Sequence, residues 1–257
     1  MISEAKRPSD KTIDGRDVDR FNRLGAQWWD PEGPMWALHQ LNPVRVAYLR
    51  EILGRHFSSR QEPRDWRSAR PLVGLKLLDI GCGAGLLSEP LARLGAQMTA
   101  IDPAPRNIEV ALNHSVKSGL AIDYRCLSAE ALADSGALFD AVLTMEVIEH
   151  VSDVERFLHQ AGKMVRPGGL LVAATLNRTL KSFALAIVAA EYVLGWVPPR
   201  THKWRQFRTP EELHVALRHA GLRLMTQTGV VFDPIAAKWR LSRDMDVNYM
   251  MAALRPQ

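Results

Sequence analysis

The sequence predicts an α/β protein whose mostly parallel sheet is covered by helices on both faces. Three observations carry this reading. Short apolar runs at 75–80, 97–101, 122–126, 139–145 and 169–175 alternate with stretches of helical length. Several of these runs are apolar at successive positions, as strands buried on both faces require. Two more strand-like runs follow at 222–229 and 248–254, which brings the expected sheet to seven strands.

Residues 1–20 are polar and are expected to form a mobile tail. The segment 21–70 is aromatic-rich, with Trp28, Trp29 and Trp36, and is expected to cover the site of the main domain. A helix is expected from Pro43 to about residue 52, because proline suits the first helical position. The run FSSRQEPRDWRSAR at 57–70 is charged and turn-rich and reads as a linker. The main domain, 71–257, should carry helices at 85–94, 105–118, 154–165 and 210–220, the last capped by Thr209. An apolar insert at about 178–208 interrupts it after the fifth strand.

With 257 residues, 47% of them apolar, the chain can bury one large core. Its net charge of +5, from 33 basic and 28 acidic residues, is too small to point to nucleic acid. The basic residues are dispersed, and no aromatic-rich RNA module accompanies them. Two cysteines, Cys82 and Cys126, make neither a disulfide framework nor a CxxC metal pair. The opening residues lack the apolar run of a signal peptide and hold too many acids for a transit peptide. The longest apolar stretch, 182–197, is broken by Glu191 and Gly195 and is short for a membrane span. A cytoplasmic protein is expected.

The most informative stretch is LLDIGCGAGL at 77–86. A buried strand ends in Gly81, Gly83 and Gly85, and a helix follows. Glycine serves where backbone takes positive φ or must approach a ligand closely. The helix start behind it offers unpaired N–H groups. Asp102 lies about twenty residues on, at the end of the second strand, where a carboxylate can accept bonds from ribose hydroxyls. Glycines that only relieve crowding at a corner would not need that distant acid. A dinucleotide fingerprint requires G-x-G-x-x-G, whereas position 86 is Leu, which disfavours a pyrophosphate ligand.

Asp79–Gly85, Asp102 and the run VRPGGLLV at 165–172 together resemble the class I S-adenosylmethionine-dependent methyltransferases. The resemblance implies a Rossmann-like fold and S-adenosylmethionine as cofactor. It implies that Gly81 and Gly83 line the methionine part, that Asp102 holds the ribose, and that Ser128 with Ala129 borders the adenine. Many members carry Asp where this chain has Ser128.

A more specific likeness runs from about 21 to 252. The segments FNRLGAQWWDPEGPMWALHQLNPVRVAYL, MEVIEHV, TLNRTLKSF, PPRTHKW and DVNYM are similar to those of the ubiquinone biosynthesis O-methyltransferases. That likeness implies methylation of a catechol-type hydroxyl on 2-polyprenyl-6-hydroxyphenol and 3-demethylubiquinol. Arg45 would then contact the cofactor carboxylate and Met145 would pack against the cofactor. It also implies other ubiquinone-biosynthesis proteins as partners and a peripheral place on the inner membrane.

Glu146, Glu149 and His150 follow the fourth strand, at the edge of such a sheet where ligands bind. On a helical turn, their spacing would put all three on one face. Two readings stay open. Two carboxylates and an imidazole suit Mg²⁺ or another divalent cation that chelates catechol oxygens and lowers their pKa. Alternatively, His150 is a metal-free general base and the glutamates sit in structural hydrogen bonds. His150 and Glu146 are the candidate catalytic residues. His202 is a candidate for a loop closing over the acceptor. Trp28 and Trp29 either wall an isoprenoid tail or pack the amino-terminal segment onto the sheet.

The insert is apolar and flanked by Arg178, Lys181, Arg200, Lys203 and Arg205, with Trp196 near its end. That composition suits docking on an anionic membrane surface, and a buried core helix is the competing reading. Other functions weighed are a methyltransferase for another phenolic or lipid acceptor, an RNA methyltransferase, a non-catalytic scaffold and an NAD-dependent reductase.

Overall fold

The computed structural model describes residues 12, 13, 15–59, 64–184, 204–233, 236 and 238–257. Helix α1 (Gly15–Leu24) leads through a 3₁₀ turn (Gly25–Trp29) into the long helix α2 (Trp36–His56). The sheet and its helices follow in alternation: β1 (Lys76–Ile80), α3 (Ser88–Arg93), β2 (Gln97–Ile101), α4 (Pro105–Lys117), β3 (Asp123–Arg125), α5 (Ala129–Ala133), β4 (Phe139–Met145), α6 (Val154–Lys163) and β5 (Val165–Leu176). After the short α7 (Leu180–Ser182) come α8 (Pro210–His219), β6 (Arg223–Asp233), β7 (Lys238–Ser242) and β8 (Asn248–Leu254).

The strands form one sheet in the order β3-β2-β1-β4-β5-β8-β6-β7. β1 to β5 pair in parallel, β8 runs against both β5 and β6, and β7 runs against β6. Six strands therefore share one direction. Among the described residues the sheet has eight strands rather than the expected seven, because β7 folds back on β6 as an edge hairpin. Its alternation of Lys238, Trp239, Arg240, Leu241 and Ser242 fits a strand with one apolar face.

Strand alternation divides the core into two layers. Leu78, Ile80, Val142, Leu171, Ala173, Tyr249 and Met251 pack on one face with residues of α6 and α8. Leu77, Leu143, Leu170, Val172, Met250 and Ala252 pack on the other with residues of α2 and α3. The carboxyl ends of β1, β2, β4, β5 and β6 all open into one cavity, and they position everything that follows.

Pro43 does not start a helix; it lies inside α2. A proline there removes one backbone bond and costs about 3 kcal/mol. Leu41, Leu49, Ile52 and Leu53 on the same helix are buried, each worth about 2 kcal/mol, and their sum exceeds that cost. Burial overrides the local signal. The expected tail boundary at residue 20 falls inside α1, whose Asp17 is buried. Ahead of it, Ile13 bridges Val151 and the Thr12 hydroxyl donates to Glu130. Nor are the described residues after 63 a loose linker. Arg50 donates to the carbonyls of Trp66 and Ser68, each at 2.8 Å, and Arg64 donates to that of Val73 at 2.6 Å.

Candidate active site

One cavity of about 880 Å³ runs along the carboxyl edge of the sheet, a volume in the range of small-molecule sites. Gly81, Asp102, Ser128, Met145, Arg45, Glu146 and His150 all line it. Most of the expected site residues thus meet in one place. His202 lies outside the described residues.

The glycine turn has the geometry its sequence suggests. Gly81, Gly83 and Gly85 have φ of 72°, 53° and 86°, which a residue with a Cβ adopts only with strain. A Cβ on Gly83 would meet the Trp28 indole at 2.5 Å, and one on Gly81 would meet Val147 at 2.5 Å. Protein side chains therefore pack directly against this turn. Gly83 N–H donates to Asp102 Oδ2 at 2.9 Å, which ties the turn to the acid at the end of β2.

Asp102 is buried, and its other oxygen accepts from Ala104 N–H at 2.8 Å and Asn107 Nδ2 at 3.2 Å. Burial raises its carboxyl above the usual range, and the Ala104 and Gly83 N–H bonds work against that rise. Asn107 in turn accepts from Trp28 Nε1 at 2.9 Å. The chain Trp28–Asn107–Asp102 positions the acid. Asn107 was not singled out in the sequence, although it sits in the first turn of the helix that follows Asp102. Trp29 stacks on His114 at 3.4 Å and donates to the Ala84 carbonyl at 3.1 Å. The two tryptophans thus pack the amino-terminal segment onto the glycine turn. Ser128 borders the cavity, but its hydroxyl accepts from Ala131 N–H and caps α5.

The carboxylate–imidazole set departs from expectation. Glu146 leaves β4 with φ of 58°, the one positive value at a non-glycine among the described residues, and Ile148–His150 form a 3₁₀ turn. The three side chains do not share a helical face. Glu146 pairs with the Arg45 guanidinium. Buried Glu149 accepts from the Thr175 hydroxyl at 2.7 Å. His150 Nδ1 lies 3.3 Å from Asp17 Oδ2, and its ring meets Phe21 edge-on at 5.3 Å.

Among the described residues, no group of three His, Cys, Asp or Glu could hold a metal ion. Glu146, Glu149 and His150, the expected ligands, do not form such a group as they stand. Glu149 Oε1 is buried without a hydrogen-bond partner among those residues, but the Glu146 and His150 side chains are committed elsewhere. Burial, then the nearby charge of Glu146, pushes the Glu149 carboxyl well above its ordinary range. Asp17, which the His150 ring faces, lay in the stretch read as a tail. Its spacing with Phe21 along one helix face was the available signal.

Comparison with known proteins agrees with this geometry. The family described as a methyltransferase domain matches residues 36–227. A ubiquinone biosynthesis O-methyltransferase of Methylocella silvestris is 60% identical over 98% of both chains. Those of Azorhizobium caulinodans and Methylobacterium nodulans are 55% and 54% identical, over 93% and 99% of both chains. The chain belongs to the ubiquinone biosynthesis O-methyltransferases. The fold of this O-methyltransferase is also that of a Synechocystis magnesium protoporphyrin IX methyltransferase solved with bound S-adenosylhomocysteine. The TM-score is 0.62, at 17% identity over 94% of this chain and 95% of that one. A possible histamine N-methyltransferase of Thermotoga maritima matches at 0.61 and 20% identity, over 93% of this chain and 99% of that one. The methyltransferase fold is that of S-adenosylmethionine-dependent enzymes, and buried Asp102 beside the glycine turn fits that cofactor's nucleoside.

Asp79 adds a pH dependence to the O-methyltransferase fold. It is fully buried under the glycine turn and accepts from Ser88 Oγ at 2.6 Å. Burial raises its pKa to about 7, against which the Ser88 bond acts. Between about pH 4 and that value the folded chain keeps a proton that the unfolded chain has lost, so stability falls as pH rises through this window. The loss amounts to up to about 4 kcal/mol. Asp79→Asn is expected to flatten the slope and to be more stable than wild type at pH 8. Urea midpoints of both proteins from pH 4 to 8 check this; parallel curves would contradict it.

Proposed function

We propose that this chain methylates the catechol-type hydroxyl of 2-polyprenyl-6-hydroxyphenol and of 3-demethylubiquinol. The observation that carries the proposal is that Asp102 and His150 wall the same cavity. Bound S-adenosylmethionine supplies a methyl group activated on a sulfonium. Asp102 holds the ribose hydroxyls, the backbone of Gly81 lies along the methionine part with Gly83 tying the turn to Asp102 behind it, and Met145 packs against it. Arg45 keeps Glu146 and presents its remaining guanidinium donors to the cofactor carboxylate. With Nδ1 turned to Asp17, His150 Nε2 is the nitrogen that takes the acceptor's proton as its oxygen attacks in line. Asp17 fixes the ring and supports the imidazolium that forms. Glu146 acts through Arg45. A second reading keeps Glu146, Glu149 and His150 as ligands of a divalent cation such as Mg²⁺, which would lower the acceptor's pKa. The buried Glu149 Oε1, unpartnered among the described residues and beside the Glu146 carboxyl, supports it.

His150→Ala is expected to lower kcat by roughly 100-fold or more while S-adenosylhomocysteine affinity stays near wild type. Asp17→Asn should lower kcat by a smaller factor and displace the pH–rate profile. Steady-state assays on a tailed catechol test both. Unchanged turnover by His150→Ala would remove the base from this reading.

We also propose that the protein docks on an anionic membrane, where a polyprenylated acceptor resides, in company with other ubiquinone-biosynthesis proteins. Among the described residues no helix is long and apolar enough to cross a membrane. Leu180 and Phe183, at the start of the insert, are 81% and 44% exposed. Arg178 pairs with Glu212, and Lys181 with Asp244 and Asp246, so the support at this end is apolar rather than electrostatic. Trp196, Arg200 and Lys203 lie outside the described residues. Wild type should pellet with anionic liposomes, and Leu180→Asp with Phe183→Asp should reduce this severalfold. Equal pelleting would count against docking here.

A further inference from the structure

The cavity extends beyond the residues assigned to the cofactor and to proton transfer. Its far arm is walled by Leu41 of α2, Leu176 at the end of β5, Val230 and Phe232 of β6, and Trp239 of β7. Phe232 faces Trp239 across the hairpin, with ring centroids 5.5 Å apart. Strand alternation puts Val230 on the same face, where it packs in one cluster with Leu41 and Trp239. All five side chains are apolar, while Lys181, Arg240 and Asp244 also line the cavity. The arm is built by β7, the strand absent from the expected seven.

We infer that this arm binds the first isoprene units of the acceptor's tail, with Phe232 and Trp239 setting the preference for a tailed ring over a bare one. The inference rests on the O-methyltransferase reading above and deepens it. A catechol carrying only hydroxyls gains nothing from five apolar walls. An isoprenoid chain on the same ring removes its own apolar surface, and theirs, from water. The arm opens from the same carboxyl edge of the sheet as the Asp102 and His150 end, so one molecule can place its ring at the base and its tail against the hairpin.

The test uses the full chain saturated with S-adenosylhomocysteine, titrated by calorimetry with catechol and with a geranyl-substituted catechol. Wild type should bind the geranyl compound roughly tenfold tighter or more. The double variant Phe232→Ala, Trp239→Ala should lose most of that difference and keep its affinity for S-adenosylhomocysteine, which also reports that it is folded. The single variant Phe232→Ala should lose a large part of the difference and serves if the double variant does not fold. The inference is overturned if wild type binds both compounds equally, or if the folded variants retain the preference. Failure of the enzymatic reading looks different: wild type would transfer no methyl group to either compound, and the binding comparison would still decide the arm.

Discussion

Asp102→Ala is expected to weaken S-adenosylhomocysteine binding by about 100-fold or more. A hydrogen bond to an ionised carboxylate is worth about 1.5–3 kcal/mol, and each 1.4 kcal/mol is a factor of ten. Three of the carboxylate's roughly four acceptor positions are taken by Gly83, Ala104 and Asn107. The ribose therefore gains one bond outright and competes for the longer Asn107 contact. Removing the acid also frees the Gly83 and Ala104 N–H groups, so the glycine turn loses the tie that holds its shape. Both effects weaken binding. Asp102→Asn keeps the shape and should fall between the two proteins. Calorimetric titration of all three measures the series, and an Asp102→Ala affinity within threefold of wild type would refute the assignment.

Arg45→Ala should destabilise the fold by about 3 kcal/mol and lower kcat/KM by about 100-fold or more. Its guanidinium and the Glu146 carboxylate are mostly buried, with side chains 7% and 18% exposed. Removing one partner of such a pair leaves the other charge in a poor environment, at a cost of about 3–5 kcal/mol when fully buried. Glu146 retains some solvent, so the lower end applies. Its positive φ adds about 1–3 kcal/mol of backbone strain that the pair helps to hold in place. The double variant Arg45→Ala, Glu146→Gln should recover much of the stability and none of the activity. Lysine should not rescue either, since it lacks the guanidinium's fork of donors. Urea denaturation of the single and double variants supplies the coupling energy. Additive losses would mean that the pair does not act as a unit.

The parts legible in the sequence are those governed by local pattern. β2, β4 and β8 have the bounds their apolar runs suggest, and the glycine turn with Asp102 declares itself by spacing alone. What escaped depends on contacts between distant residues. Pro43 reads locally as a helix start, yet burial of the same helix on both sides carries the chain through it. Asp17 looks like part of a polar tail until α1 brings it to His150 across 133 positions. The spacing of Glu146, Glu149 and His150 is real, but spacing gives no side chain its partner. Arg45, Thr175 and Asp17 come from three other segments and give each member of the set its own partner, while Glu146 and Glu149 stay side by side. Strand β7 carried a readable alternation; five residues with three charged or polar members simply resemble a loop.

The most direct check is a calorimetric titration of the wild-type chain with S-adenosylhomocysteine and, separately, with NADH. A nucleoside pocket built on the glycine turn and Asp102 predicts saturable one-to-one binding of S-adenosylhomocysteine and no comparable heat from NADH. Absence of S-adenosylhomocysteine binding, or tighter binding of NADH, would contradict it.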